Sequence, residues 1–133
     1  MSSEKATTDF LKLIQAHTTL KVVQGHRSKA TPEAQEPTRP YVRVKFTRLG
    51  IPTGITGQER GLATIEIWAG DEVSAWAYGT RLTDSLKTNS TGLLKDIDYP
   101  SVSRYSLMSP WAIGHDPLDG ASLYCSLSFH YFP

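Results

Sequence analysis

The chain has 133 residues, 39% of them hydrophobic, and a formal net charge of +1 from 14 basic and 13 acidic side chains. This length suits one domain that buries roughly two-thirds of the surface its unfolded form exposes, and the near balance of charge argues against a dedicated nucleic-acid binder, which carries a clear basic excess. A single cysteine, Cys125, excludes an internal disulfide framework, and neither a secretory leader nor the roughly 18 apolar residues of a membrane span is found, so the expectation is a soluble protein made in a cytoplasm.

The first predicted element is a helix. Thr7, Thr8 or Asp9 offers a capping oxygen, and Phe10, Leu11, Leu13, Ile14 and His17 follow at helical spacing. Residues 20–23 are short and β-branched and read as a strand ending at Gly25. Residues 25–40 carry no apolar periodicity and include Pro32, Pro37 and Pro40, so a long loop is expected. The clearest strand is Tyr41-Val42-Arg43-Val44-Lys45-Phe46, with Val42, Val44 and Phe46 on one face and Tyr41, Arg43 and Lys45 on the other.

A second long loop is expected over residues 49–61, broken by Gly50, Pro52, Gly54, Gly57 and Gly61. Residues 62–68 then form a strand with Ala63, Ile65 and Ile67 inward, making a hairpin with an enlarged tip. Asp71 caps a helix over residues 72–86, with Ala75, Tyr78, Gly79, Leu82 and Leu86 on its apolar face and Val73 and Trp76 beside it. Residues 87–92 stop that helix, and residues 93–97 form a short strand or turn. Residues 102–108 read as a strand and 109–120 as a loop. The chain closes on a strand in which Leu123, Cys125, Leu127, Phe129 and Tyr131 alternate with Ser122, Tyr124, Ser126, Ser128 and His130. The fold class is therefore α+β: a single mixed or antiparallel sheet of four to five strands, two helices packed on it, and long loops on one side.

Candidate chemistry is sparse. His17 lies on the apolar face of a helix and reads as a core or boundary residue, His26 falls in the first loop, and His130 sits on the outer face of the last strand. His115, Asp116 and Asp119 carry side chains that bind metals, but Asp-Pro and Asp-Gly are turn dipeptides for backbone reasons, and a turn is the stronger reading. Cys125 has inward Leu123 and Leu127 as its same-face neighbours, which makes it a buried, inert thiol. No Gly-x-Ser-x-Gly elbow or phosphate-binding loop occurs. Neither a catalytic residue nor a cofactor or metal is assigned, and the expectation is a protein that is not an enzyme. Arg39, Arg43, Lys45 and Arg48 cluster around one strand with Arg60 beyond the loop, either as a solvated sheet face or as a patch for phosphates or an acidic partner. Trp68, Trp76, Tyr78 and Trp111 divide between core packing and interface anchoring.

The order helix, strand, long loop, strand, long loop, strand, helix, irregular segment, final strand resembles the tail terminator proteins of long-tailed bacteriophages, the family that includes the terminator of phage lambda. The residues carrying the likeness are Pro40-Tyr41-Val42-Arg43-Val44, Ala63-Thr64-Ile65-Glu66-Ile67-Trp68, the helix over 71–86 and the strand over 123–132. The resemblance implies a ring, usually hexameric, that caps the head-proximal end of the tail tube and stops its polymerisation. Implied partners are the tail tube protein, a head-completion or neck protein, further copies of the chain, and DNA in passing contact within the lumen, with no membrane. Arg43, Lys45, Arg48 and Arg60, together with Ile51, Pro52 and Ile55 in the 49–61 loop, become the candidate interface or lumen residues, and the expected location is the virion tail. Another head–tail connector or tail-completion protein is the alternative, followed by a small nucleotide-processing enzyme or a nucleic-acid-binding module.

Overall fold

The alternating segments pair into one sheet, and two helices close over its apolar face. The computed structural model describes residues 2–25, 38–86, 102–116 and 120–132. In chain order the elements are α1 (Ser2–Ala16), β1 (Lys21–Gln24), β2 (Tyr41–Pro52), β3 (Glu59–Trp68), α2 (Glu72–Leu86), β4 (Val102–Leu107), β5 (Ala112–Asp116) and β6 (Gly120–Tyr131). The sheet has six strands in the order β1-β2-β3-β6-β4, with β5 also paired to β6. β1 runs parallel to β2, and the other pairings are antiparallel. The fold is α+β with two helices, as the patterning predicts. No helix among the described residues is long and apolar enough to cross a membrane.

Register explains which side chains meet. Val42, Ile67 and Leu123 align across β2, β3 and β6, as do Val44, Ile65 and Cys125, and Phe46, Ala63 and Leu127. These residues join Ala6, Phe10, Leu13 and Ile14 of α1 and Ala75, Leu82 and Leu86 of α2 in one core. Strand side chains alternate between faces, so both helices lie on the same side of the sheet. The Phe129 ring stacks on Phe10 at 4.5 Å and meets Phe46 edge-on at 5.9 Å. At the helix ends, His17 Nδ1 lies 2.7 Å from Ser85 Oγ, which makes His17 a boundary residue joining α1 to α2.

Several expectations need correction. Helix α1 begins at Ser2, ahead of the proposed caps, and Thr7 spends its hydroxyl on the Glu4 carbonyl inside the helix at 2.9 Å. The 49–61 excursion is mostly strand: β2 runs on to Pro52 and β3 starts at Glu59, leaving residues 53–58 as the tip. Register shifts between Phe46 and Arg48 and between Arg48 and Ile51 absorb the glycine-rich sequence as bulges. The 109–120 loop contains β5, which raises the strand count to six. The expected loop residues 26–37, the helix stop at 87–92 and the strand or turn at 93–97 lie outside the described residues, as do His26 and Asp119.

β4 and β5 share one edge of β6, with Leu107 opposite Leu127 and Ala112 opposite Tyr124. Residues 108–111 bulge away between them, pinned by the Met108 N–H to the Ser126 carbonyl and the Ser126 N–H to Ser109 Oγ. The bulge delivers Trp111 to α2. A Cβ on Gly79 would lie 3.1–3.3 Å from the indole, and Trp111 Nε1 is 3.4 Å from Thr83 Oγ1. A glycine in mid-helix costs roughly 1 kcal/mol against alanine, and here it makes room for the indole.

Candidate assembly surfaces

The four basic residues singled out in β2 and β3 fall on the face of the sheet opposite the helices. Arg43 opposes Glu66, Lys45 opposes Thr64, Arg48 opposes Leu62, and Arg60 opposes Ile51. Their environments differ. Arg43 is only 6% exposed: it donates to the Gly25 carbonyl at 3.1 Å, reaches Tyr41 Oη at 3.5 Å and lies over the Tyr41 ring. The expectation of a solvated Arg43 is therefore replaced by a buried one. Lys45 Nζ pairs with Glu66 Oε2 at 2.8 Å, and Trp68 Nε1 donates to the other oxygen of the same carboxylate at 3.1 Å. Arg48 is exposed and Arg60 half-buried. Tyr41 and Trp68 stack nearly parallel at 6.2 Å, with Arg39 over the indole, so Trp68 packs within this cluster and is buried.

Ile51, Pro52 and Ile55 belong to the β2–β3 hairpin. Its tip extends past the Glu59–Tyr131 pair, where β6 ends. The tip holds itself in shape: the Ile55 N–H reaches Thr53 Oγ1 at 3.3 Å, the Gln58 N–H donates to the Ile55 carbonyl at 3.0 Å, and Thr53 Oγ1 lies 3.0 Å from Gln58 Oε1. Gly54 and Gly57 supply positive φ angles of 87° and 80°, a region that disfavours side chains with a Cβ. The result presents Ile55 at 59% exposure, with Leu49 also exposed on β2 next to the tip.

Met108, Tyr124 and Phe132 are exposed as well, and three further exposed apolar side chains lie toward the other end of the sheet. Val73, at 80% exposure, and the exposed Trp76 stand on the first turns of α2, and Ile113 is exposed on β5. Ile113 opposes Leu123, which opposes Ile67, so it lies near the end of β3 from which α2 departs. The helix buries Ala75, Gly79, Leu82, Thr83 and Leu86. Val73, Trp76, Ala77 and Thr80 form a separate stripe at i, i+3, i+4 and i+7 spacing. Sequence reading placed Val73 and Trp76 beside the buried face; counting both stripes of the helix would have separated them.

Helix α2 starts with a charged cap. Asp71 Oδ1 accepts the Ser74 N–H at 2.8 Å and Oδ2 accepts the Ser74 hydroxyl at 2.9 Å. These bonds hold its carboxyl below the usual carboxylate range. Glu72 accepts a bond from Trp76 Nε1 at 3.3 Å. The start of α2 is thus acidic and apolar, and residues 47–58 of the hairpin mix apolar Leu49, Ile51, Pro52 and Ile55 with threonines and Gln58, with Arg48 as their one charge.

Cys125 is buried, and loss of solvation pushes its thiol up to about 12. His115 and Asp116 fall in β5, opposite Ala121 and Gly120. Among the described residues no three His, Cys, Asp or Glu side chains are placed to hold a metal ion. No protein-family model and no curated protein matches the chain. Among the solved structures that match, one is similar at 17% identity, over 98% of this chain and 94% of the other, with a TM-score of 0.48; that likeness carries no argument about function.

Proposed function

We propose that this chain is a bacteriophage tail terminator: copies of it close into a ring, with six copies as the first expectation, that caps the head-proximal end of the tail tube. The tube protein and a head-completion or neck protein are its partners in this reading. Support comes from the element order that resembles the terminator family, joined to one feature of the molecule. Among the apolar side chains that a lone subunit leaves in water are Leu49 and Ile55 of the hairpin and Val73 and Trp76 of α2, at two unlike places. A closed ring joins unlike patches head to tail, and two such patches are what each subunit needs. The outer sheet face, where Arg60 accompanies the paired Lys45, is the proposed wall toward passing DNA.

Negative-stain microscopy of the purified protein, alone and mixed with tail tubes, tests this proposal. Six copies of 14.7 kDa make a closed ring of about 88 kDa, and caps are expected at one end of each tube. Shortening the tip at residues 53–58 is expected to abolish capping and leave the circular dichroism of the fold unchanged. Long tubes made by this chain alone would make it a tube subunit, and a chain that neither rings nor caps would overturn the reading.

A further inference from the structure

We infer that the hairpin tip of one copy docks on the start of α2 of a second copy: Leu49 and Ile55 meet Val73, Trp76 and Ile113, and Arg48 faces Asp71 and Glu72. The inference rests on the ring-forming reading above and adds to it the two surfaces that meet.

Geometry excludes a contact within one molecule. The hairpin tip and the start of α2 are at opposite ends of β3, which has ten residues. At about 3.3 Å per residue the two patches stand roughly 30 Å apart. The two patches therefore cannot cover each other within one molecule. Their net charges are complementary: residues 47–60 of the hairpin hold Arg48 and Arg60 against Glu59, whereas α2 begins with exposed Asp71 and Glu72. The Asp71 carboxylate is fixed by its bonds to Ser74 and Glu72 is held by the Trp76 indole, so the acidic edge is ordered before binding. The tip is likewise held by its own hydrogen bonds, and two surfaces ordered in advance lose little conformational entropy on docking. Contact between unlike patches on identical chains is head-to-tail, the geometry that closes into a ring or runs on as a filament.

Cysteine pairs in the full-length chain test this docking. Cys125 is buried and stays a bystander. Ile55→Cys mixed with Val73→Cys is expected to give a cross-linked dimer under mild oxidation, which neither variant gives alone. The double variant is expected to give a ladder of oligomers. Ile55→Glu and Val73→Glu should each reduce the solution mass to that of one copy, with far-UV circular dichroism unchanged. Cross-links between like positions, or full-mass rings in both glutamate variants, would overturn the docking. So would a chain that stays monomeric and never cross-links, even if it caps tubes, in which case the terminator reading stands without this contact. Cross-linking without capping would support the docking and count against the terminator.

Discussion

Phe129 is held from three directions: Phe10 stacks on it, Phe46 meets it edge-on and Tyr131 tilts against it. The fourth side is Gly61, where a Cβ would lie 2.6 Å from the ring. An alanine there gains the roughly 0.5–1 kcal/mol that glycine forfeits in a strand. Overpacking a core costs about 1–3 kcal/mol, and the neighbouring rings give Phe129 little room to retreat. The clash wins, and Gly61→Ala is expected to lower stability by about 1–2 kcal/mol, read from the urea midpoint at unchanged slope. Tyr131 shows how the nearby bulge is satisfied: its buried hydroxyl accepts the Gly50 N–H at 2.8 Å, across the intervening β3. Neither contact could be seen in sequence. Alternation assigns a residue to a face of a strand, but depth and partners come from what lies over that face. Arg43 illustrates the same limit, placed correctly on the outer face yet buried among Tyr41 and the Gly25 carbonyl.

The elements most legible in sequence were those whose periodicity coincides with a half-buried surface. β6, β3 and the first part of β2 alternate cleanly because one side meets helices, and the start of α2 is legible because Asp71 marks it. The start of α1 is not legible because Thr7, Thr8 and Asp9 are good capping residues, while Ala6, a small apolar residue that adds little to the pattern, is already in the core. β5 was missed because Pro110, Gly114 and Pro117 punctuate its surroundings, and its pairing to β6 is a tertiary fact. Of the candidate site, the hairpin was legible as a hairpin, but the exposed stripe of α2 was not. The Asp71 cap gives this scale its prediction. Its carboxyl is held low in the folded chain by the Ser74 N–H and hydroxyl. A depressed folded value stabilises above the unfolded value, and the contribution is lost as pH falls through the folded one. Asp71→Ala should melt lower than the parent near neutral pH in dilute protein, and the gap should narrow on acidification below the usual carboxylate range.

At the scale of the whole molecule, the sheet divides the chain into a side closed by helices and a side that carries Arg43, Lys45, Arg48 and Arg60, while Ile55 and Val73 stand exposed toward opposite ends of β3. A monomer gains nothing from Ile55 or Val73, which stand in water, so their contribution to stability depends on how many subunits are joined. Assembly that binds only folded chains stabilises them by mass action. For a ring, each tenfold rise in protein concentration adds about 1 kcal/mol per subunit, and for a domain of this length that raises the melting temperature by about 3–6 °C. The parent chain is expected to show that rise across a dilution series followed by circular dichroism. Ile55→Glu is expected to melt at one temperature throughout, coinciding with the parent at its most dilute. A parent curve indifferent to concentration would mean that folding is complete in the single chain, and that the apolar ends of the sheet are covered by a different protein.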